Sequence, residues 1–135
     1  RLRAEGIDVK NEIDPANWFL NDKDDVRSSY YLEEIATEFD IQGLEIDFTC
    51  VAWDINLHHD GKEWNYQNFK GSKWQNINQD ATKNYLLNSY RVLLTRARQG
   101  MLIFIPDVDN SDKTRTKAFY DQTFEYLQRC GLSEI

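Results

Sequence analysis

The sequence predicts an α/β sandwich with a mainly parallel sheet, and three observations carry that expectation. Residues 46–53 (IDFTCVAW) alternate apolar and polar side chains in their first half and are nearly all apolar in their second. Strands of a parallel sheet, covered by helices on both faces, have that composition. Residues 101–105 (MLIFI) form a second apolar run, closed by Pro106, which has no N–H to give to a ladder. Between the two, Leu86, Tyr90, Leu93 and Ala97 share one helical stripe with Leu87 and Leu94 beside it, while Asn84, Asn88, Arg91, Thr95 and Arg98 share the opposite stripe. Strand, helix, strand and a last helix, in that order, describe a parallel α/β unit.

The remaining elements follow from local chemistry. Residues 1–10 read as a basic turn and a short extended piece. Pro15 opens a turn or helical segment through Ala16, Asn17, Trp18, Phe19 and Leu20, and residues 21–25 (NDKDD) are a solvated loop. Ser28 or Ser29 caps a turn before Tyr30. Residues 35–39 alternate and read as a short strand that enters the turn at Gln42 and Gly43. Residues 56–78 read as an insertion carrying an antiparallel hairpin, with its turn at Lys70 and Gly71. Asp80 caps the long helix, which is expected to reach Gln99 and stop at Gly100. Residues 107–113 form an acidic loop, and the final helix covers residues 114–129, with Tyr120, Phe124 and Leu127 on one stripe.

Composition bounds the function. A chain of 135 residues suits one domain, and 41% hydrophobic residues supply one core. The net charge of −7 argues against nucleic acid gripped by a bulk positive field, though a local basic groove stays open. Cys50 and Cys130 are too few for a disulfide framework. They read as buried or half-buried free thiols in a reducing, cytoplasmic setting. No run approaches the roughly 18 apolar residues of a membrane span. The chain begins at Arg1 and holds no G-x-x-x-x-G-K-[ST] phosphate loop, so it is expected to be a piece of a longer protein. Gly71, Ser72 and Lys73 lack both the first glycine and the preceding strand of such a loop.

Two segments carry the chemistry. In the first, Gln42, Gly43, Leu44 and Glu45 lead into the strand at residue 46; a glycine there lets backbone approach a ligand, and Gln42 and Glu45 offer polar groups beside it. In the second, Thr95, Arg96, Ala97 and Arg98 stand at the end of the long helix. A guanidinium is planar, permanently charged and bidentate, which suits phosphate oxygens. The plainer alternatives are a solvated strand turn and arginines that merely offset the helix dipole.

Together, Q-G-L-E before one strand and T-R-A-R before the next resemble motifs V and VI of superfamily 1 helicases of the UvrD/Rep type. The order E-F-D-I-Q-G-L-E-I-D, V-A-W-D, a Trp-rich insertion and N-S-Y-R-V-L-L-T-R-A-R-Q-G is closest to the bacterial Schlafen-like DNA/RNA helicases. The resemblance implies a single RecA-like (P-loop NTPase type) three-layer domain over residues 1–135, the second of two motor domains, with residues 56–78 inserted in it. It implies that Arg96 is the catalytic arginine finger and that Gly43, Glu45 and Arg96 contact the nucleotide. Gln42, Thr95 and Arg98 would couple nucleotide to nucleic acid. The implied cofactors are ATP and Mg2+ in the full-length protein, with none expected on this piece alone. The implied partners are an N-terminal Walker-motif domain of the same chain and single-stranded DNA or RNA, with no membrane. An alternative is a RecA-like domain that serves as a non-catalytic protein-interaction module.

Other clusters are weaker. His58 and His59 are adjacent and so point to opposite faces of a strand, with no third metal ligand spaced to meet them. Asp107, Asp109 and Ser111 begin like a calcium loop, but the sixth and twelfth positions are Asp112 and Ala118. A nuclease using Asp107 and Asp109 is a third reading. Trp64, Tyr66, Phe69 and Trp74 read as the core of the hairpin, with base stacking as the alternative.

Overall fold

The computed structural model describes residues 13–71, 73–108, 111–112 and 114–135. The expectations for residues 1–10, and those for Ser72, Asp109 and Lys113, lie outside the described residues. The chain is mixed α/β, with a two-stranded parallel sheet and a three-stranded antiparallel sheet.

Helix α1 (Pro15–Leu20) starts where Asp14 accepts hydrogen bonds from the amides of Ala16 and Asn17, with Pro15 at its first position. Ser28, fully buried, donates to the Asn21 carbonyl at 2.7 Å and caps the 3-10 turn Ser29–Tyr31. The strand expected over residues 35–39 does not form. Asp40 accepts from both the amide and the hydroxyl of Thr37 at 2.7 Å, and the amides of Asp40 and Ile41 turn back to the Thr37 carbonyl. A side chain that captures the backbone locally outcompetes a ladder.

Strand β1 (Ile46–Ala52) pairs in parallel with β5 (Ala97–Phe104). The helix between them, α2 (Asp80–Leu94), ends five residues before Gln99. Thr95 is the C-cap: its hydroxyl donates to the Arg91 carbonyl at 2.6 Å, and Arg96 donates to the Val92 carbonyl at 3.2 Å. With those end carbonyls satisfied, the backbone is free to pair with β1 from Ala97 onward. Gly100 is therefore a strand residue, and a Cβ there would lie 2.7 Å from the Phe48 ring. Gln79, not Asp80, is the N-cap of α2, and it makes no side-chain cap bond; Asp80 stands in the first turn, where a negative charge favours the helix dipole.

Among the described residues only one face of this sheet is covered, so β1 is not buried on both faces as expected. Trp53 and Ile103 pack against Leu86, Tyr90 and Leu94 of α2. The opposite face carries Phe48, Cys50 and Ala52 beside Leu102 and Phe104, all exposed. Cys50 lies on this open face and Cys130 caps the last helix, so both thiols are exposed rather than buried.

The antiparallel sheet is β2 (Leu57–His59), β3 (Trp64–Lys70) and β4 (Lys73–Asn76). The expected hairpin is present, its turn at Gly71 with φ +64, and β2 adds a third strand. Its aromatic residues do not form a separate core. Trp64 and Tyr66 join the Trp53, Leu57 and Tyr90 cluster, and Trp74 packs with Ile55, Val108 and Tyr120. Trp74 also donates its indole N–H to the Thr114 carbonyl at 2.7 Å.

Helix α3 (Lys117–Arg129) begins three residues later than expected, after Asp112 takes the amide and hydroxyl of Thr114. It lies along the outer edge of β2. The ring of His58 stacks on Phe119 and that of His59 on Tyr126, at centroid distances of 4.0 and 4.3 Å. The edge amide of His59 donates to the Thr123 hydroxyl at 3.0 Å. A helix across a strand edge reaches residues of both faces, so neighbouring histidines meet one helix. Close by, Tyr90, Asn56, Asp54 and Tyr120 form a hydrogen-bonded group just past β1.

Candidate functional site

The two sequence segments meet at the N-terminal ends of β1 and β5. The first is a turn closed by the Leu44 amide donating to the Ile41 carbonyl at 3.0 Å. Gly43 occupies its third position with φ +87, a conformation that favours glycine. Ile41 is buried and anchors the turn, while Gln42, Gly43 and Glu45 are exposed. From the side, Glu38 accepts a hydrogen bond from Ser89 of α2 at 3.0 Å, and Phe39 lies over Tyr85, 6.2 Å between centroids. The turn is thus held on the helix whose end carries the arginines.

Arg96 is half-buried across this junction. Its guanidinium donates to the Val92 carbonyl at 3.2 Å, to the Leu44 carbonyl at 3.4 Å and to the Thr95 hydroxyl at 3.0 Å. Its own carbonyl accepts from the Ile46 amide at 3.0 Å. Arg96 therefore completes the end of α2, as the helix-dipole alternative holds, and also touches the glycine turn. Three neutral acceptors and, among the described residues, no carboxylate surround its charge, a state in which an anion is a competitive partner.

Arg98 is exposed and engaged differently. It donates through Nε and a terminal nitrogen to one oxygen of Asp47, at 3.1 and 2.6 Å, and its other terminal nitrogen lies 3.9 Å from Glu45. The hydrogen bond from Arg98 holds the Asp47 carboxyl below its usual range, and Asp47 in turn raises Arg98. The structure so brings Gly43, Glu45, Thr95, Arg96 and Arg98 to one edge of the sheet. Gln42 lies in the same turn with its side chain exposed.

Asp47, Glu38 and Ser89 belong to the same junction and were not singled out from the sequence. A signal for Asp47 was present: Glu45 and Asp47 are spaced by two, as are Arg96 and Arg98, and side chains two apart share a strand face. The histidines and the aromatic hairpin, by contrast, are packing residues. Burial holds His58 below its ordinary value, while its Nδ1 lies 2.8 Å from the Ile55 carbonyl. Asp107 of the acidic loop pairs with Lys117. Among the described residues no three His, Cys, Asp or Glu side chains gather as a metal ion needs, and no helix is long and apolar enough to cross a membrane.

A parallel strand pair is joined through a helix that ends at Leu94, and Arg96 and Arg98 follow that helix beside a glycine turn: the chain is a mixed α/β domain with two guanidinium groups at one end of its parallel sheet. The family model "Schlafen group 3, DNA/RNA helicase domain" matches residues 3–107, and the chain of 135 residues belongs to that family. Comparison with curated proteins and with solved structures gives no match.

Proposed function

We propose that this chain is the second, RecA-like motor domain of a superfamily 1 ATP-dependent DNA/RNA helicase or translocase that works in the cytoplasm. The observation that carries the reading is Arg96: one guanidinium bonded both to the end of α2 and to the Leu44 carbonyl of the glycine turn. A phosphoryl group in transfer gathers negative charge on its oxygens, and an arginine offered from a second domain stabilises it. Family membership supports a helicase-related role.

ATP and Mg2+ belong to the full-length protein in this reading. The residues fit one side of a triphosphate: Arg96, bonded to neutral acceptors, beside a turn whose glycine lets backbone come close. They do not fit a complete nucleotide site, because no phosphate loop and no metal-ligand set are among them. When bound, the nucleotide supplies the transferable phosphoryl group. Arg96, which donates to the carbonyls of Val92 and Leu44 here, would be the residue that bonds its phosphate oxygens. The Leu44 contact would connect Arg96 to the turn at Gln42, Gly43 and Glu45, and so nucleotide to nucleic acid. Thr95 would keep the helix end closed, since its hydroxyl donates to the Arg91 carbonyl as well as accepting from Arg96.

The test is ATP hydrolysis by the full-length protein with and without single-stranded nucleic acid, as wild type and Arg96→Ala. Stimulation by the strand and a loss on the order of 10³-fold in the variant are expected. Absence of hydrolysis in the wild type would overturn the motor and leave a protein-interaction module. The 135-residue chain alone is expected to show no ATPase.

A further inference from the structure

We infer that Asp47 is the positioning residue that sets the arginine-bearing segment against the glycine turn. The inference rests on the motor reading and adds to it a residue that touches neither nucleotide nor strand. It starts from the register of the parallel pair. Ile46 stands opposite Ala97, but Phe48 stands opposite Gly100. Two residues of β5, Arg98 and Gln99, therefore face the single residue Asp47.

Such a bulge is rare in parallel sheets, interrupts the ladder, and is found where a side chain has to be re-aimed. It also resets the alternation of β5, so the side chains before and after it follow different phases. After the bulge, Gly100, Leu102 and Phe104 follow β1 in step, with Gly100 beneath the Phe48 ring. Before it, Arg96 is free of that phase and reaches the Leu44 carbonyl.

One carboxylate holds the first of the two extra residues. Asp47 accepts two hydrogen bonds from Arg98. The pair is about half exposed on both sides, 56% for Arg98 and 50% for Asp47. Exposed ion pairs add little to overall stability, so the effect of Asp47 is on where the segment sits rather than on whether the chain folds. Glu45, 3.9 Å from Arg98, steadies the same guanidinium from the turn itself. Arg98 thereby ties the glycine turn, the first strand and the bulge together, two residues from Arg96.

Two measurements on the full-length protein test this, with Asp47→Ala, Asp47→Asn and Asp47→Glu. The first is steady-state ATP hydrolysis at saturating single-stranded DNA, with kcat and KM read separately. Misplacing a transition-state group costs about 10²-fold, so kcat is expected to fall by about that factor in Asp47→Ala, while the KM for ATP stays close to wild type. Asp47→Glu, which keeps the carboxylate, is expected to recover most of the loss. An unchanged kcat, or a loss carried wholly by KM, would overturn the inference.

The second measurement is amide hydrogen exchange without nucleotide. Residues 97–100 are expected to exchange faster in Asp47→Ala, and residues 57–76 at the wild-type rate. Unchanged exchange at residues 97–100 would sink the positioning role whatever the ATPase shows. A wild-type protein without ATPase would refute the motor reading instead, with the exchange result still deciding whether Asp47 holds the bulge.

Discussion

Replacing Tyr90 by Phe removes one oxygen from the centre of the molecule and leaves the ring in place. Tyr90 is 5% exposed, and its ring lies 4.5 Å from that of Trp53. Its hydroxyl donates to the Asn56 side chain at 2.7 Å and accepts from the Asp54 amide at 3.2 Å. Burial pushes the phenol well above its ordinary range, so it remains a donor at any working pH. The substitution creates no apolar cavity and keeps the aromatic contact. It leaves one donor and one acceptor without their partner, at residues that are only partly buried. A hydrogen bond is worth about 1 kcal/mol net, and a stranded buried group costs about 1–3 kcal/mol. For two half-buried partners we expect a loss of about 1.5 kcal/mol. For a chain of this size that corresponds to about 5 °C in Tm. Urea unfolding followed by Trp fluorescence measures the loss, with an unchanged slope expected because the surface exposed on unfolding hardly differs. Tyr85→Phe is the internal comparison: that ring is 52% exposed, its hydroxyl lies 3.5 Å from Glu38, and little change is expected. A Tyr90→Phe loss no larger than that of Tyr85→Phe would refute the account of the network.

Two further outcomes concern the histidine and the glycine turn. Burial favours neutral His58 in the folded chain, whereas the unfolded chain takes up a proton near its ordinary value of 6.5. Its contribution to stability is therefore complete above about pH 6.5 and declines as pH falls below it. The urea midpoint should drop more between pH 7.5 and pH 5.5 in wild type than in His58→Gln, and equal drops would show that the ring does not titrate in this way. Gly43→Ala should cost about 1 kcal/mol, because φ is +87 and an alanine is strained there. A Cβ at that position meets nothing within 4 Å, so a crowding explanation is closed and Gly43→Asn should cost less; an unchanged unfolding curve for Gly43→Ala would count against the strain.

Much of this architecture was readable from the residues, and what was not has identifiable causes. The two apolar strands and the helix between them followed from periodicity, and the turn at Gly43 followed from a glycine placed before a strand. The end of α2 did not, because residues 95–99 have good helix formers and continue the polar stripe. Pairing with β1 decides their conformation, and that pairing is made with residues some fifty positions away. Residues 35–39 alternate like a strand, yet the captured amide of Thr37 is a contact that alternation does not register. Arg96 and Arg98 were legible as a pair of cations, given different roles only by the family resemblance, and the side chain that binds Arg98 was not legible. Arg98 is one of the two bulged residues that face Asp47, and a bulge leaves no mark in hydropathy.

The placement of α3 bears on where this folding unit can be cut. The family match stops at residue 107, ten residues before α3 begins. Thr123 nevertheless occupies the outward amide of β2, and Phe119 and Tyr126 shield the flat faces of the two histidines. Without that helix, a short strand with a bare donor and an aromatic flank would face solvent, which is the pattern that recruits strands from other molecules. An expression boundary drawn at the end of the match would convert a closed sheet margin into an adhesive one. Self-association of such a shortened chain would then report a missing helix rather than an oligomer native to the protein.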